Sequence, residues 1–495
     1  MSELRHPRVP SLPALIFLIW SVAVAFAAGP RLLNADGDTA RHLRHGETIL
    51  STGHLIRTDP FSFTKQGAPF VGFEYGSQVV MAGVHRIAGL AGVVVLSAFL
   101  IAITYSLLTR FLLRRGVEPG FAYVVVMLSA VLGSMHWAAR PHLVTQLFVV
   151  VLLELLDRER LPSFWWFGLL FTLWANLHGG FLFGLILVGV LATGHLVAAL
   201  VGAADRSRSL AMARSLGTVL VVGIGASFLT PYGASLPAHV LGFFGQGLIH
   251  QVTLEFQPPG FRDLGTRLFL LTLLASIAGL AWIQARLDLP KLAIVLAVTG
   301  FALMARRNIA LWTLTALPLL AIHFDAAVRM LPAPPNFRES FGETAEGRTW
   351  RWVLPGVVSL MGLALLHGRL GGIQVVPDRF SPRAFPVEAI DAARGAGLQG
   401  RVFTQFTWGG YQLYAWPEQE VFIDGGTDFY GESLLAEYLD VWTLQAGWRE
   451  KLDSAGISVA VLPPRSPLAA ELGRGEAWRE WYRDSTAVVL LRPER

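Results

Sequence analysis

Cysteine is absent from all 495 residues, so the chain forms no disulfide and does no thiol chemistry. That absence does not fix a compartment, because proteins on either side of a membrane can lack cysteine. Charge is also scarce. Only 15% of residues are Asp, Glu, Lys or Arg, against 53% apolar, and a mean hydropathy of +0.50 excludes a soluble protein of this length. Lysine is nearly missing: Lys65, Lys291 and Lys451 are the only three, and arginine carries the rest of the basic charge. The net charge of +5 is modest and reads as arginine in membrane-flanking loops, with no nucleic-acid partner. No P-loop, Gly-rich dinucleotide fingerprint, HExxH or nucleophile elbow occurs, and there is no internal repeat or low-complexity tail.

What is present is a succession of apolar runs of the length a helix needs to cross about 30 Å of hydrocarbon. Candidate spans are 11–29, 90–110, 119–137, 142–157, 163–177, 180–202, 214–231, 266–285, 289–305, 308–324 and 352–369. The expected class is a polytopic α-helical membrane protein with about eleven transmembrane helices. Residues 76–89 read as a short amphipathic helix at the interface before the second span. The N-terminus, with Arg5, Arg8 and a possible cleavage-like Ala25-Phe-Ala27, resembles a signal peptide, but its apolar stretch is long enough for a retained helix.

Arginine sets the expected orientation. With the N-terminus inside, the inside loops carry Arg110, Arg114 and Arg115, then Arg158 and Arg160, Arg206 to Arg214, Arg286 with Lys291, and a polar loop over 325–351. This places the first loop, 30–89, outside, together with everything after about 370. Arg306 and Arg307 are a basic pair on the wrong side and call for a local anionic partner. The domain reading is 1–370 as the membrane domain and 371–495 as a soluble extracytoplasmic α/β domain. Within the latter, 401–403, 420–423, 457–462 and 487–491 read as strands, and 432–444 and 448–454 as helices. The expected location is a bacterial inner (plasma) membrane.

The chemistry-bearing residues, though distant in sequence, fall at one face of that topology. Asp36-Gly37-Asp38 follows the first span directly. Two carboxylates at i and i+2 can share a divalent cation, Mg2+ or Mn2+, or one can take a proton while the other orients. The plainer reading is a solvated turn capping the helix that follows. Arg41, His42, Arg44 and His45 come next and suit either an anionic headgroup or a basic interfacial helix. Glu74 closes the first loop. Arg140, in Arg140-Pro141-His142, suits bidentate phosphate binding or snorkelling to the interface. Asn176-Leu-His178-Gly179-Gly180 is a tight turn whose His178 is a positioning group or a helix cap. Glu255 stands out in the long outside loop, and Arg306 with Arg307 could clamp a phosphate. In the C-terminal part, Thr407-Trp408-Gly409-Gly410-Tyr411 and Asp424-Gly425-Gly426-Thr427 have the composition of a binding surface, and equally of tight turns.

Together these motifs resemble the GT-C superfamily of membrane glycosyltransferases that use polyprenyl-phosphate sugars. The run Asp36…His42…Asp59-Pro-Phe-Ser62…Phe73-Glu74, then Arg140-Pro141, Asn176-Leu-His178-Gly179, Trp408-Gly-Gly-Tyr411 and Phe422-Ile-Asp424-Gly, is similar across nearly the whole chain to a family of largely uncharacterised bacterial membrane proteins. More distantly, Thr407 to Gln412 followed by Asp424 to Thr427 resembles the Trp-Trp-Asp and following segments of oligosaccharyltransferase catalytic subunits. Here glycine replaces the central Asp, which departs from peptide-sequon recognition. The resemblance implies transfer of a sugar from a polyprenyl-phosphate or -diphosphate to an extracytoplasmic acceptor: a glycan, lipid or protein. Asp36, Asp38 and Glu74 would be catalytic, and Asp36 and Asp38 would be the cation ligands. Arg306, Arg307 and Arg140 would hold the donor phosphate. His42, His178, Glu255, Trp408, Tyr411 and Asp424 would position substrates. The alternatives are a flippase or transporter for a lipid-linked solute, which the clean centres of the spans disfavour, and a non-catalytic scaffold that retains the fold.

Overall fold

The computed structural model describes residues 10–158, 160–243, 245, 247–283, 287–329 and 346–493. Arg5, Arg8, Arg286 and most of the loop expected over 325–351 lie outside them. Each of the eleven apolar segments contains helix. Seven helices among the described residues are long and apolar enough to cross a membrane. The other four apolar segments, His142–Leu156, Phe164–Leu177, Leu289–Met304 and Arg351–Leu365, form shorter helices. The chain is therefore a multi-pass membrane protein by helix length and composition.

Local chemistry starts these helices where it should. Glu118 accepts from Phe121 N at 2.8 Å ahead of Pro119, and Asp288 accepts from Lys291 N at 3.0 Å ahead of Pro290. Both pair an acidic cap with a proline at the first turn, where no N–H is missed.

The helix Tyr75–Arg114 is two helices joined at a break. Ala88 and Gly89 leave helical geometry, and Gly89 has φ of 62°, which favours glycine. The first half is the amphipathic segment expected before the second span. Asp378, far along the chain, restarts the second half by accepting from Ala91 N at 2.9 Å. Its other oxygen lies 3.3 Å from His367 Nδ1. Asp378→Ala is expected to cost about 1 kcal/mol, the usual worth of a lost cap, read as a lower thermal midpoint in detergent.

After the last apolar helix comes a two-residue hairpin, β1 (Arg369–Leu370) and β2 (Ile373–Gln374). A mixed four-stranded sheet follows from β3 (Arg401–Thr404), β4 (Ile457–Leu462), β5 (Arg479–Arg483) and β6 (Val488–Leu491), in the order β3-β4-β6-β5. The β3–β4 pair is parallel and the others antiparallel. β4 and β6 are nearly continuous buried apolar runs, which is why they are legible in the sequence. β5 is an exposed edge strand with charged ends and gives no such signal.

Residues 420–423, expected as a strand, do not form one of the four. Val421 instead makes isolated parallel bridges to Ser62 and to Val402. Val421 N donates to Phe61 O at 3.0 Å, and Phe63 N donates to Val421 O at 3.2 Å. The first loop is thus stitched to the C-terminal sheet by main-chain hydrogen bonds, and Asp59 holds the stitched turn by accepting from Phe61 N and Ser62 N at 3.0 and 3.2 Å.

Glycines make the rest of this joint. A Cβ on Gly37 would overlap the Thr407 carbonyl, one on Gly410 the Gly37 carbonyl, and one on Gly425 the Asp38 carboxylate. The joint needs bare backbone on both sides.

Candidate active site

The turn Asp36-Gly37-Asp38 is closed by Asp38 N donating to Asp36 Oδ1 at 3.0 Å. A helix, Asp38–Thr52, starts there. Helical spacing puts Asp38, Arg41, His42 and His45 on one face, and all four are buried. This face is the floor of the site.

Arg140 reaches the same place from the turn before the His142–Leu156 helix. One main-chain and one side-chain hydrogen bond fix that turn: Ala139 N donates to Leu32 O at 2.9 Å, and the Thr39 hydroxyl donates to Ala139 O at 3.2 Å. The guanidinium then spans both aspartates, with Nη1 2.9 Å from Asp36 Oδ2 and Nη2 2.6 Å from Asp38 Oδ2. Nη1 also lies 3.8 Å from Glu255 Oε2, and Arg307 Nη1 lies 3.7 Å from Glu255 Oε1. Glu255 therefore bridges two guanidinium groups. Burial works to raise its pKa, but Arg140 and Arg307 outweigh that and hold it below the usual carboxylate range.

Glu74 is placed differently. It sits at the N-cap position of the Tyr75–Arg114 helix without a side-chain capping hydrogen bond, and it is buried. Its neighbours are two imidazoles: His178 Nε2 at 3.3 Å from Oε1 and His42 Nε2 at 3.7 Å from Oε2. Burial pushes the Glu74 carboxyl up to about 7, against the pull of Arg41 and Arg140. Burial, with Arg41 and Arg140 adding to it, drives His42 well below the ordinary histidine value. His178 is lowered in the same way by burial, then by His142, Arg307 and Arg140. Both rings are neutral near pH 7.

These groups open onto one cavity of about 620 Å³. Asp36, Asp38, Glu74, Arg140, His178, Glu255 and Arg307 all line it, although they come from six separate stretches of sequence. Leu182, Phe183, Ile186, Phe301, Met304 and Leu311 supply apolar lining, and Thr407, Gly425, Thr427 and Asp428 line it from the C-terminal part.

Five expected site residues are not part of the cavity lining, His42, which sits beside Glu74, among them. Arg306 is turned away from the cavity lining: it pairs with Asp263, its Nη1 at 3.0 Å and Nη2 at 3.3 Å from the carboxylate. The local anionic partner expected for the basic pair is thus present, as Asp263 for Arg306 and Glu255 for Arg307. Trp408 donates through Nε1 to Ala384 O at 3.0 Å, and Tyr411 stacks on Phe385 at 5.0 Å; neither lines the cavity. Asp424 is buried behind the floor, accepting from Gly426 N at 2.6 Å and lying 3.9 Å from Arg41 Nε. Burial raises its carboxyl to about 6, with Arg41 opposing. Asp424 holds Arg41, and Arg41 lies 3.5 Å from Asp38. These residues shape the site from behind.

The structure also adds a pair that sequence reasoning missed. His239 Nε2 and Asp428 Oδ2 meet at 2.9 Å, and both line the cavity. Asp428 sat inside the Asp424–Thr427 neighbourhood already singled out. His239 carries no local signal.

The cation expected on Asp36 and Asp38 fits these residues poorly. Arg140 occupies the position between the two carboxylates, and among the described residues no group of three or more His, Asp or Glu is arranged to hold a metal ion.

No family model matches the sequence, and no curated protein matches it. Solved structures do match. An oligosaccharyltransferase of Archaeoglobus fulgidus, tethered to an acceptor peptide containing the NVT sequon, aligns at 13% identity over 97% of this chain and 74% of its own, with a TM-score of 0.53. The archaeal oligosaccharyltransferase AglB from the same organism, with an inhibitory peptide and a dolichol-phosphate, aligns at 12% identity over 91% and 69%, with a TM-score of 0.50. ArnT from Cupriavidus metallidurans in the apo state aligns at 16% identity over 97% and 96%, also at 0.50. The chain has the GT-C fold. With ArnT the GT-C match runs nearly end to end in both chains, so it takes in the C-terminal sheet as well as the helices.

Proposed function

We propose that this chain is a membrane glycosyltransferase that moves a sugar from a polyprenyl-phosphate or -diphosphate to an acceptor at the extracytoplasmic face of a bacterial inner membrane. The N-terminus lies inside and the C-terminal α/β domain, from about residue 371, lies outside. The observation that carries the reading is the cavity's division of labour. Its lining holds apolar side chains, as a polyprenyl chain requires, together with Arg140 and Arg307, which suit a phosphate. Carboxylates stand beside those arginines, as proton transfer from an acceptor hydroxyl requires. The neighbouring structures support it, since one is a complex with a dolichol-phosphate and another is tethered to an acceptor peptide.

In this reading Arg140 and Arg307 take up charge on the leaving phosphate. Asp36 and Asp38 fix the Arg140 fork, and His42 and His178 steady Glu74. Asp428 and His239 face the acceptor from the C-terminal side.

The test is transfer from a radiolabelled undecaprenyl-phosphate sugar panel in proteoliposomes. Asp36→Asn and Asp38→Asn, made separately, are each expected to lose about 100-fold, because each loosens the Arg140 fork. Two folded variants with full transfer would remove this site from consideration.

A further inference from the structure

Five carboxylates line the cavity, and their oxygens are not equally free. Glu255 lies between Arg140 and Arg307, and Asp428 pairs with His239. Asp36 accepts Asp38 N on one oxygen and Arg140 on the other. Asp38 has Arg140 on one oxygen and Arg41 beside the other. All four oxygens of Asp36 and Asp38 face a donor or a cation. A carboxylate committed to a guanidinium is a weak proton acceptor, because taking the proton breaks the pair. Among the described residues Glu74 has no guanidinium within 4.0 Å; the groups at that distance from its oxygens are the imidazoles of His42 and His178.

The imidazoles are oriented. Trp174 Nε1 donates to Thr145 Oγ1 at 2.8 Å. The Thr145 hydroxyl, 2.7 Å from His178 Nδ1, donates onward to it, and the Gly180 main-chain N–H donates to the same nitrogen at 2.9 Å. A backbone N–H can only donate, so Nδ1 is the acceptor and the ring proton sits on Nε2, the atom facing Glu74. His42 follows the same logic. The Gln78 amide nitrogen lies 3.3 Å from its Nδ1, which leaves the Nε2 proton toward Glu74. Two neutral rings thus present N–H groups to one buried carboxylate.

We propose that Glu74 is the proton acceptor of the reaction and that Thr145 and His178 are positioning residues that hold its carboxylate toward the cavity. The inference rests on the glycosyltransferase reading and names the group that reading leaves open among Asp36, Asp38 and Glu74. The acceptor's O–H bond breaks, and its proton goes to a Glu74 oxygen. The acceptor oxygen forms the new bond to the anomeric carbon. The bond from that carbon to the phosphate oxygen breaks, and the phosphate leaves with the electron pair, its charge met by Arg140 and Arg307. The proton leaves Glu74 to water after the product departs.

The groups facing Glu74 set its titration. They are Asp38, Arg41 and His42 on the Asp38–Thr52 helix, Arg140, His178 in its turn, and Asp428 from the C-terminal part. Because burial raises the carboxyl, the base is competent only when the proton is off. Activity is expected to rise with pH through about 7 and then level.

The experiment uses the full chain in proteoliposomes with undecaprenyl-phosphate sugars radiolabelled in the sugar. Glu74→Gln is expected to lose about 10²- to 10⁴-fold in transfer while still binding undecaprenyl phosphate and unfolding at the wild-type temperature. His178→Ala removes one N–H and is expected to move the acid limb up by about one pH unit; His178→Gln, which restores an N–H, moves it back. A purely structural His178 would lower the unfolding temperature and leave the limb in place. Infrared difference spectra of wild type against Glu74→Gln are expected to show a protonated carboxyl band that titrates near pH 7. Transfer that survives Glu74→Gln in a working wild-type background overturns the inference and leaves the transferase reading standing. A folded wild type that transfers no sugar from any member of the panel overturns both.

Discussion

Arg140→Ala is expected to leave a protein that folds weakly and transfers no measurable sugar. Arg140 lies within ion-pair distance of three carboxylates, Asp36, Asp38 and Glu255, and only about a fifth of its side chain is exposed. The three acids outweigh the effect of burial and hold it firmly protonated. Removing it leaves those charges without their cation. Losing one partner of a buried ion pair costs about 3–5 kcal/mol. Loss of a charge-stabilising donor is expected to cost a further factor of about 10²–10³ in turnover. Arg140→Lys keeps the charge but cannot grip two carboxylates as a fork. It is expected to recover most of the stability and little of the rate. Thermal unfolding in detergent and transfer from labelled undecaprenyl-phosphate sugars, measured on both variants, check the two effects separately. An alanine variant with wild-type unfolding and wild-type transfer would show that the acids do not need this guanidinium.

Gly425→Ala is the second large effect. The added methyl would overlap Asp38 Oδ1, the oxygen that faces Arg41. Either Asp38 leaves Arg41 or the C-terminal segment backs away from the floor. Overpacking of this kind costs about 1–3 kcal/mol. Displacing Asp38 by about 1 Å can cost about 100-fold in rate even where the fold survives. Gly37→Ala is expected to behave alike, because its new methyl would strike the Thr407 backbone, which cannot rotate aside. Gly83→Ala is the control: nothing lies within 4 Å of a Cβ there, and it sits inside a helix. It is expected to be neutral or slightly stabilising. Equal unfolding temperatures and rates for Gly425→Ala, Gly37→Ala and Gly83→Ala would mean that the joint tolerates side chains.

The helical architecture was legible because lipid allows few alternatives. Apolar runs of spanning length must become helices, and the amphipathic character of 76–89 set it apart from the span that follows. The convergence of Asp36, Asp38, Glu74, Arg140, His178 and Glu255 was legible for a related reason. Arginine alternates along the loops and assigns these residues to one end of the bundle. Arg306 and Arg307 were not separable, because neighbouring residues in a short 3-10 turn point in different directions and sequence does not record which. Trp408-Gly-Gly-Tyr411 and Asp424-Gly-Gly misled in a more instructive way. Glycine between aromatics lets a ligand approach backbone, and it equally lets another backbone approach. Here the second use holds: Gly37 and Gly410 face each other across the joint. His239 was invisible because a single histidine in a long loop carries no pattern, and its partner Asp428 lies 189 residues away.

The cavity's last wall is also the last part of the chain to be made. Thr407, Gly425, Thr427 and Asp428 all follow the last apolar helix in the chain. A chain cut before Thr407 would keep Asp36, Asp38, Glu74, Arg140, His178, Glu255 and Arg307 but lack this part of the cavity lining.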